Sequence, residues 1–174
     1  MFFKLRVKAK VWDGSEGQVG QGYWINSVVV ADVDKEQLVP LYNELFSQKA
    51  KDFGSENQQI FKALRAIHEQ LKGKGIWAMD RGADRKKIVE ELGGLKSRFV
   101  IRPRGDRKVE TKMGRRIEIR EIANRAKTET KHKITIDKEG YKEDKEICLG
   151  IRHGIQVEGV TVSIVVVRGF GKNH

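Results

Sequence analysis

The chain has 174 residues, of which 39% are apolar and 34% charged, the proportions of a globular domain large enough to bury a core without staples. Its single cysteine, Cys148, excludes an intramolecular disulfide framework, and its longest apolar run, near residues 160–167, is far too short to span a bilayer. The net charge of +11 favours a polyanionic partner, most often nucleic acid.

The opening "MFFKLRVKAK" has no apolar h-region and no small-residue cleavage site, so no secretory signal is expected, and a cytoplasmic protein with no membrane partner is the expectation. "WDGSEGQVGQG" carries four glycines in eleven residues and predicts a loop. Residues 23–33 are β-branched and apolar and predict a strand, central in its sheet. A short second strand is expected around residues 39–42, where Pro40 argues for an edge or a strand start. Ser55 with Gln58 forms a capping-box pattern, and Ile60, Leu64, Ile67 and Leu71 then recur on one helical stripe that Gly73 and Gly75 end.

"GIWAM" predicts a short buried strand with Asp80 at its C-terminal end. Asp84 is placed to cap a second helix whose apolar face is Ile88, Val89 and Leu92, with Gly93 and Gly94 as its stop. "RFVIR" is the next strand. Strands alternating with helices in this order predict a layered α/β sheet. After Pro103 the sequence alternates and turns at glycines, which predicts an antiparallel β region over residues 106–168. Within it, "RRIEIREIANRAK" fits a strand or a short helix equally well.

The charge is uneven. Between residues 98 and 133, 13 Lys or Arg stand against 5 Asp or Glu, a difference of +8 out of the chain's +11. Phosphate binding by counterion release needs a focused stripe of this kind.

A carboxylate at a strand end, where functional groups of α/β sheets gather, has two readings. Asp80 is either a structural side chain that accepts backbone hydrogen bonds or pairs with Arg81, or a ligand for Mg²⁺ or Mn²⁺. Phosphoryl transfer on DNA commonly uses two such ions about 4 Å apart, held by carboxylates from different elements. Asp13, Asp52, Asp84 and Asp106 are the other candidates; Asp13 and Asp106 are expected in loops, and Asp84 is better explained as a helix cap. Other chemistries fail. Cys148 and His153 are too few for structural zinc. The "GSEGQVGQG" segment lacks the Gly-Lys-Ser/Thr of a phosphate loop. Ser15 stands in no nucleophile elbow, and His68, beside the helix's apolar stripe, reads as structural.

"WAMDRGADRKKIVEEL" followed by "SRFVIRPRGDRKV" resembles the core of bacterial insertion-sequence transposases of the Asp-Asp-Glu class. More narrowly, it resembles the cut-and-paste branch whose second catalytic Asp lies in an Asp-Arg-Gly/Glu-x-Asp motif. "KVWDGSEGQVGQGYW", "PLYNELFSQKAKDFGSEN" and "VVVRGFGK" are similar to other segments of that branch, in the same order. The resemblance implies a ribonuclease-H-like α/β fold, a mixed sheet with flanking helices and an antiparallel β insertion. Residues 1–105 would be a partial catalytic core, and 106–174 the insertion with its return strand. It further implies that Asp80 is the second of three acids holding two Mg²⁺ or Mn²⁺ ions, and that Arg81 is the Arg following it. Arg102, Arg104, Arg107 and Lys108 would be contacts to the backbone of double-stranded DNA at transposon ends. The family's first Asp and its third acid, a Glu on a later helix, have no counterpart, and neither do the first strand and last helix that carry them. Weak metal binding and no strand cleavage by the isolated chain are therefore expected. An edge left open by that strand predicts self-association or association with an intact transposase. Two functions follow: a fragment of a transposase catalytic core, inactive alone, or a non-catalytic DNA-binding protein that regulates or inhibits transposition.

Overall fold

The computed structural model describes residues 7–13, 16–32, 37–138 and 141–169. They fall into two compact units, Met1–Ile76 with Gly94–Arg98, and Trp77–Gly93 with Phe99–His174. The fold is mixed α/β, with three α-helices among the described residues, none long and apolar enough to cross a membrane.

The first unit begins where a loop was expected. β1 (Ala9–Asp13) and β2 (Gln18–Gly22) pair antiparallel, with Ala9 opposite Gly22 and Trp12 opposite Val19. Glycine-rich composition misled here: in an exposed two-stranded ribbon few side chains must pack, so Gly20 and Gly22 are tolerated within the ladder. β3 (Trp24–Asp32) and β4 (Gln37–Phe46) form a second antiparallel hairpin. β4 is much longer than the short strand expected around Pro40. The register shifts between Val28, opposite Tyr42, and Val29, opposite Pro40, and a bulge accommodates a residue with no N–H to donate. The expectation that the first of these strands is central is corrected: β4 is its only ladder partner among the described residues. Ile25, Val29, Leu38 and Leu45 are each more than half exposed.

α1 (Glu56–Gln70) starts as its sequence dictates, with Ser55 Oγ accepting from the Gln58 N–H at 3.2 Å. It buries Ala63, Leu64 and Ile67 and is fastened to β3 by the Asn26 amide, which donates to the Gln59 carbonyl at 2.9 Å. Leu71, expected on the same stripe, lies past the last helical residue and is 37% exposed. The helix stops at Gly73, whose N–H donates to the His68 carbonyl with φ at 71°. His68 is half-buried, with Nδ1 3.0 Å from Ser97 Oγ.

The second unit holds β5 (Ile76–Met79), a single 3-10 turn (Arg81–Ala83), α2 (Lys86–Gly94) and β6 (Arg98–Ile101), apart from single end residues. Among the described residues β5 and β6 make a two-stranded sheet of their own, as do β1 with β2 and β3 with β4, in place of the single layered sheet expected. β5 is half-exposed rather than buried, with Ile76 60% exposed. Beyond it lies the antiparallel region: β7 (Lys108–Glu110), β8 (Arg116–Glu118), α3 (Ile119–Arg125), β9 (Thr130–Lys138), β10 (Tyr141–Val157) and β11 (Val160–Arg168). The ambiguous "RRIEIREIANRAK" segment is both strand and helix in succession.

β10 organises this sheet. One edge takes β11, and the other takes β9 along Tyr141–Leu149 and then β7 at Gln156. Alternation sends Ile155 and Val157 of β10, Ile164 and Val166 of β11, and Val109 of β7 to one face. Ile119, Ile122 and Ala126 of α3 and Val89 of α2 complete this core. Two guanidiniums close the free carbonyl end of α3: Arg168 donates to Ala123 O at 3.0 Å, and Arg152 donates to Arg125 O at 3.3 Å.

Candidate nucleic-acid interface at the ends of β5 and β6

Asp80 leaves β5 in extended geometry and caps the 3-10 turn, its Oδ1 accepting from the Gly82 N–H at 2.9 Å. The fit is close: a Cβ on Gly82 would lie 3.0 Å from that oxygen. Asp80 therefore performs the backbone-accepting role that the structural reading assigned it, and it remains exposed. Arg81, in the same turn, is also exposed.

Asp84 is not a helix cap, and that expectation is corrected. Its side chain is 4% exposed, and each oxygen has a partner in the 102–107 loop. Oδ2 accepts from the Arg104 backbone N–H at 2.7 Å, and Oδ1 binds the Arg107 guanidinium. In the first turn of α2 the Ile88 and Val89 N–H groups both donate to the Arg85 carbonyl. A second strut lies alongside: the Arg102 N–H donates to the Met79 carbonyl at 3.3 Å. These bonds hold the Asp80 turn against the loop at residues 102–107, and so bring Asp80, Arg81, Arg102 and Arg104 to one end of the β5–β6 pair.

The expected phosphate contacts differ in availability. Arg102, Arg104 and Lys108 are exposed. Arg104 forks onto Asp106, at 3.2 Å through Nε and 2.9 Å through Nη2, and this hydrogen-bonded guanidinium holds the Asp106 carboxyl below its usual range. Lys108 stands opposite Glu118 across the β7–β8 ladder. Arg107 is a different kind of residue. Its side chain is 13% exposed and is engaged by Asp84 on one side and by Glu158 at 3.4 Å on the other. Glu158 in turn meets Lys86 at 3.2 Å. Arg107 is thus a tie between the 102–107 loop, the Asp80 turn and the β10–β11 turn.

Among the described residues, no three His, Cys, Asp or Glu side chains converge in a way that could hold a metal ion. Asp106 is paired with Arg104 and Asp84 with Arg107. Asp52 lines a cleft in the first unit. Asp13 ends β1 rather than lying in a loop, and its side chain falls outside the described residues. The donor set around Asp80 does not by itself fit a two-ion Mg²⁺ or Mn²⁺ centre, which draws carboxylates from several elements.

Sequence reasoning missed a polar cluster in the first unit, beside a cleft of about 700 Å³ between β4, the following loop and α1. The Tyr42 hydroxyl and the Lys62 ammonium both donate to the Glu44 carboxylate, each at 2.5 Å. The Tyr-x-Glu spacing, which puts both side chains on one strand face, was the available signal. Burial, with the Glu44 hydrogen bond and charge, raises the Tyr42 phenol well above its usual value of 10. Burial acts on Glu44 in the opposite sense to its two donors, and the donors prevail, holding its carboxyl below 4.5. A raised folded pKa contributes stability that is complete below the unfolded value and lost as pH rises through the folded one. Between pH 10 and 12 the wild-type unfolding free energy should therefore fall more steeply than that of Tyr42→Phe, as read by urea titrations at each pH. Parallel curves would mean that the Tyr42 hydroxyl is not held in this bond. The depressed Glu44 loses its contribution on the acid side, as pH drops through its folded value.

No protein-family model matches the chain, and no curated protein matches it.

Proposed function

We propose that the chain binds the backbone of double-stranded DNA at the end of β5 and β6, and that it belongs to the DNA-handling core of an Asp-Asp-Glu-class transposase. The observation that carries this reading is the juxtaposition of the Asp80 turn with the basic 102–107 loop, joined through Met79–Arg102, Asp84–Arg104 and Asp84–Arg107. Arg102, Arg104 and Lys108 are the phosphate contacts, and Arg81 is placed to join them from the neighbouring turn. Arg107 positions the loop that carries them. A ribonuclease-H-like arrangement of the full core, and assembly with further copies or with an intact transposase at transposon ends, extend the same reading.

A second reading is favoured by the Asp80 geometry. With one oxygen on Gly82 and no metal-holding group of three ligating side chains among the described residues, Asp80 serves a non-catalytic DNA-binding protein that regulates transposition. Supercoiled plasmid incubated with the chain and either Mg²⁺ or Mn²⁺ separates the two. The expected result is retarded migration of bound DNA with no conversion to nicked circles. Nicking that Asp80→Asn abolishes would overturn the non-catalytic reading and make Asp80 a working ligand.

A further inference from the structure

The β9–β10 ribbon leaves one edge open. β9 pairs β10 over all nine of its residues, from Thr130 opposite Leu149 to Lys138 opposite Tyr141, with no register shift. Among the described residues it has no other ladder partner. Its outer side is therefore a row of backbone donors and acceptors, a template on which a further strand can add. Proline and bulges are devices that blunt such an edge. β4 carries Pro40 beside a register shift, whereas β9, "TKHKITIDK", has neither.

Lysine is a further guard, and β9 carries Lys131 and Lys133 in its interior. Both are already answered within the ribbon. Lys133 stands opposite Glu146, and the Lys131 ammonium lies 2.9 Å from the Glu146 carboxylate.

The strand is also its own complement. Its midpoint is Ile134, and an antiparallel copy centred there is the one arrangement that pairs the strand over its full length. Lys131 then faces Asp137 of the second copy, twice by symmetry, and Lys133 faces the neutral Thr135. No like charges meet across the new ladder. The faces match as well. His132, Ile134 and Ile136 share a face with the buried Ile147 of β10. In the pair, Ile134 packs on its own copy and Ile136 on His132, which extends the row that Ile147 begins. Lys145 and Glu143, the β10 residues opposite Ile134 and Ile136, meet each other at 3.6 Å.

We propose that two copies of the chain join through β9, edge to edge and antiparallel about Ile134, so that both ribbons form one continuous sheet. The occupant is a second copy because the charge order of β9, read backwards, matches itself. The pairing goes beyond the DNA reading and does not rest on it, since it needs no nucleic acid.

The test is made without DNA. Sedimentation over a range of concentrations should show a reversible dimer. Thr135→Lys separates the fold from the interface. Within the chain the Thr135 hydroxyl donates to Asp144, directly opposite, at 2.8 Å. A lysine there keeps an acidic partner, and the urea midpoint should hold. Across the axis it faces Lys133 at two symmetric places and should weaken the dimer roughly tenfold. Adding Lys133→Thr exchanges the two facing residues and should restore most of the affinity. Disulfide formation in a Cys148→Ala background reads the register. Lys133→Cys mixed with Thr135→Cys should crosslink as a heterodimer, because directly opposite Cα atoms lie about 4.5–5.5 Å apart, within disulfide reach. Either variant alone offers a diagonal pair at roughly 7–8 Å and should crosslink poorly. A chain that stays monomeric, a dimer indifferent to Thr135→Lys, or cysteine variants that crosslink as well alone as mixed would overturn the β9 pairing and leave the DNA reading standing.

Discussion

Asp84→Ala should lower the unfolding free energy of the chain by about 3 kcal/mol, read as a fall in the urea midpoint. Removing one partner of a largely buried ion pair leaves the other charge without compensation, and such losses run to about 3–5 kcal/mol. Asp84 is 4% exposed and Arg107 13%. Two further effects act in opposite directions. The Arg104 N–H also loses its acceptor, which adds to the loss. Glu158 remains within 3.4 Å of Arg107 and retains part of the charge balance. Asp84→Asn, which keeps the acceptor for Arg104, should fall between wild type and alanine. A surface acid of the same turn makes the control: Asp80→Asn should shift the midpoint little. If Asp84→Ala and Asp80→Asn were equally mild, the tie between the turn and the 102–107 loop would not exist.

Replacing Arg102, Arg104 and Lys108 together with Gln should change DNA binding without changing the fold. Each phosphate contact contributes about 0.9 to the dependence of log binding constant on log salt. Losing three should flatten the slope by nearly 3 and weaken binding at moderate salt by orders of magnitude. All three side chains are exposed, so the urea midpoint should stay near that of wild type. Arg107→Gln makes the opposite prediction: a marked loss of stability and little change in slope under conditions where the protein is still folded. The pairing of these two results matters because sequence alone grouped Arg107 with its neighbours. An Arg107 variant that left stability intact and flattened the slope by a full contact would return it to the phosphate-binding set.

Local chemistry was legible in the sequence, and long-range partnership was not. Ser55 announced the start of α1, and Ile88, Val89 and Leu92 announced the buried face of α2, because capping and helical periodicity are settled within a few residues. The hairpin at β1 and β2 was hidden because ladder pairing between Trp12 and Val19 needs no apolar alternation to declare it. Asp84 was misassigned for a related reason. A carboxylate two residues ahead of a helix looks like a cap, and only the fold brings Arg107, 23 residues later, to claim it. The same holds for the sheet: the alternation of strands and helices predicted one layered sheet, but which strands share a ladder is a tertiary choice, and β3 took β4 alone among the described residues. At the candidate site, Asp80 as a strand-end carboxylate and the surplus of positive charge could be read directly. That the two meet could not, since it depends on β6 ending beside β5.

The claim that the end of the β5–β6 pair faces DNA is tested most directly by photocrosslinking. p-Benzoylphenylalanine replaces Arg81, Arg102 or Lys108 in turn, with Lys62 in the first unit as the comparison, and each protein is irradiated with labelled duplex. The account predicts covalent protein–DNA products from the first three positions, suppressed by high salt, and little from Lys62. Crosslinks from Lys62 with none from Arg81, Arg102 or Lys108, or no crosslink from any position at low salt, would contradict it.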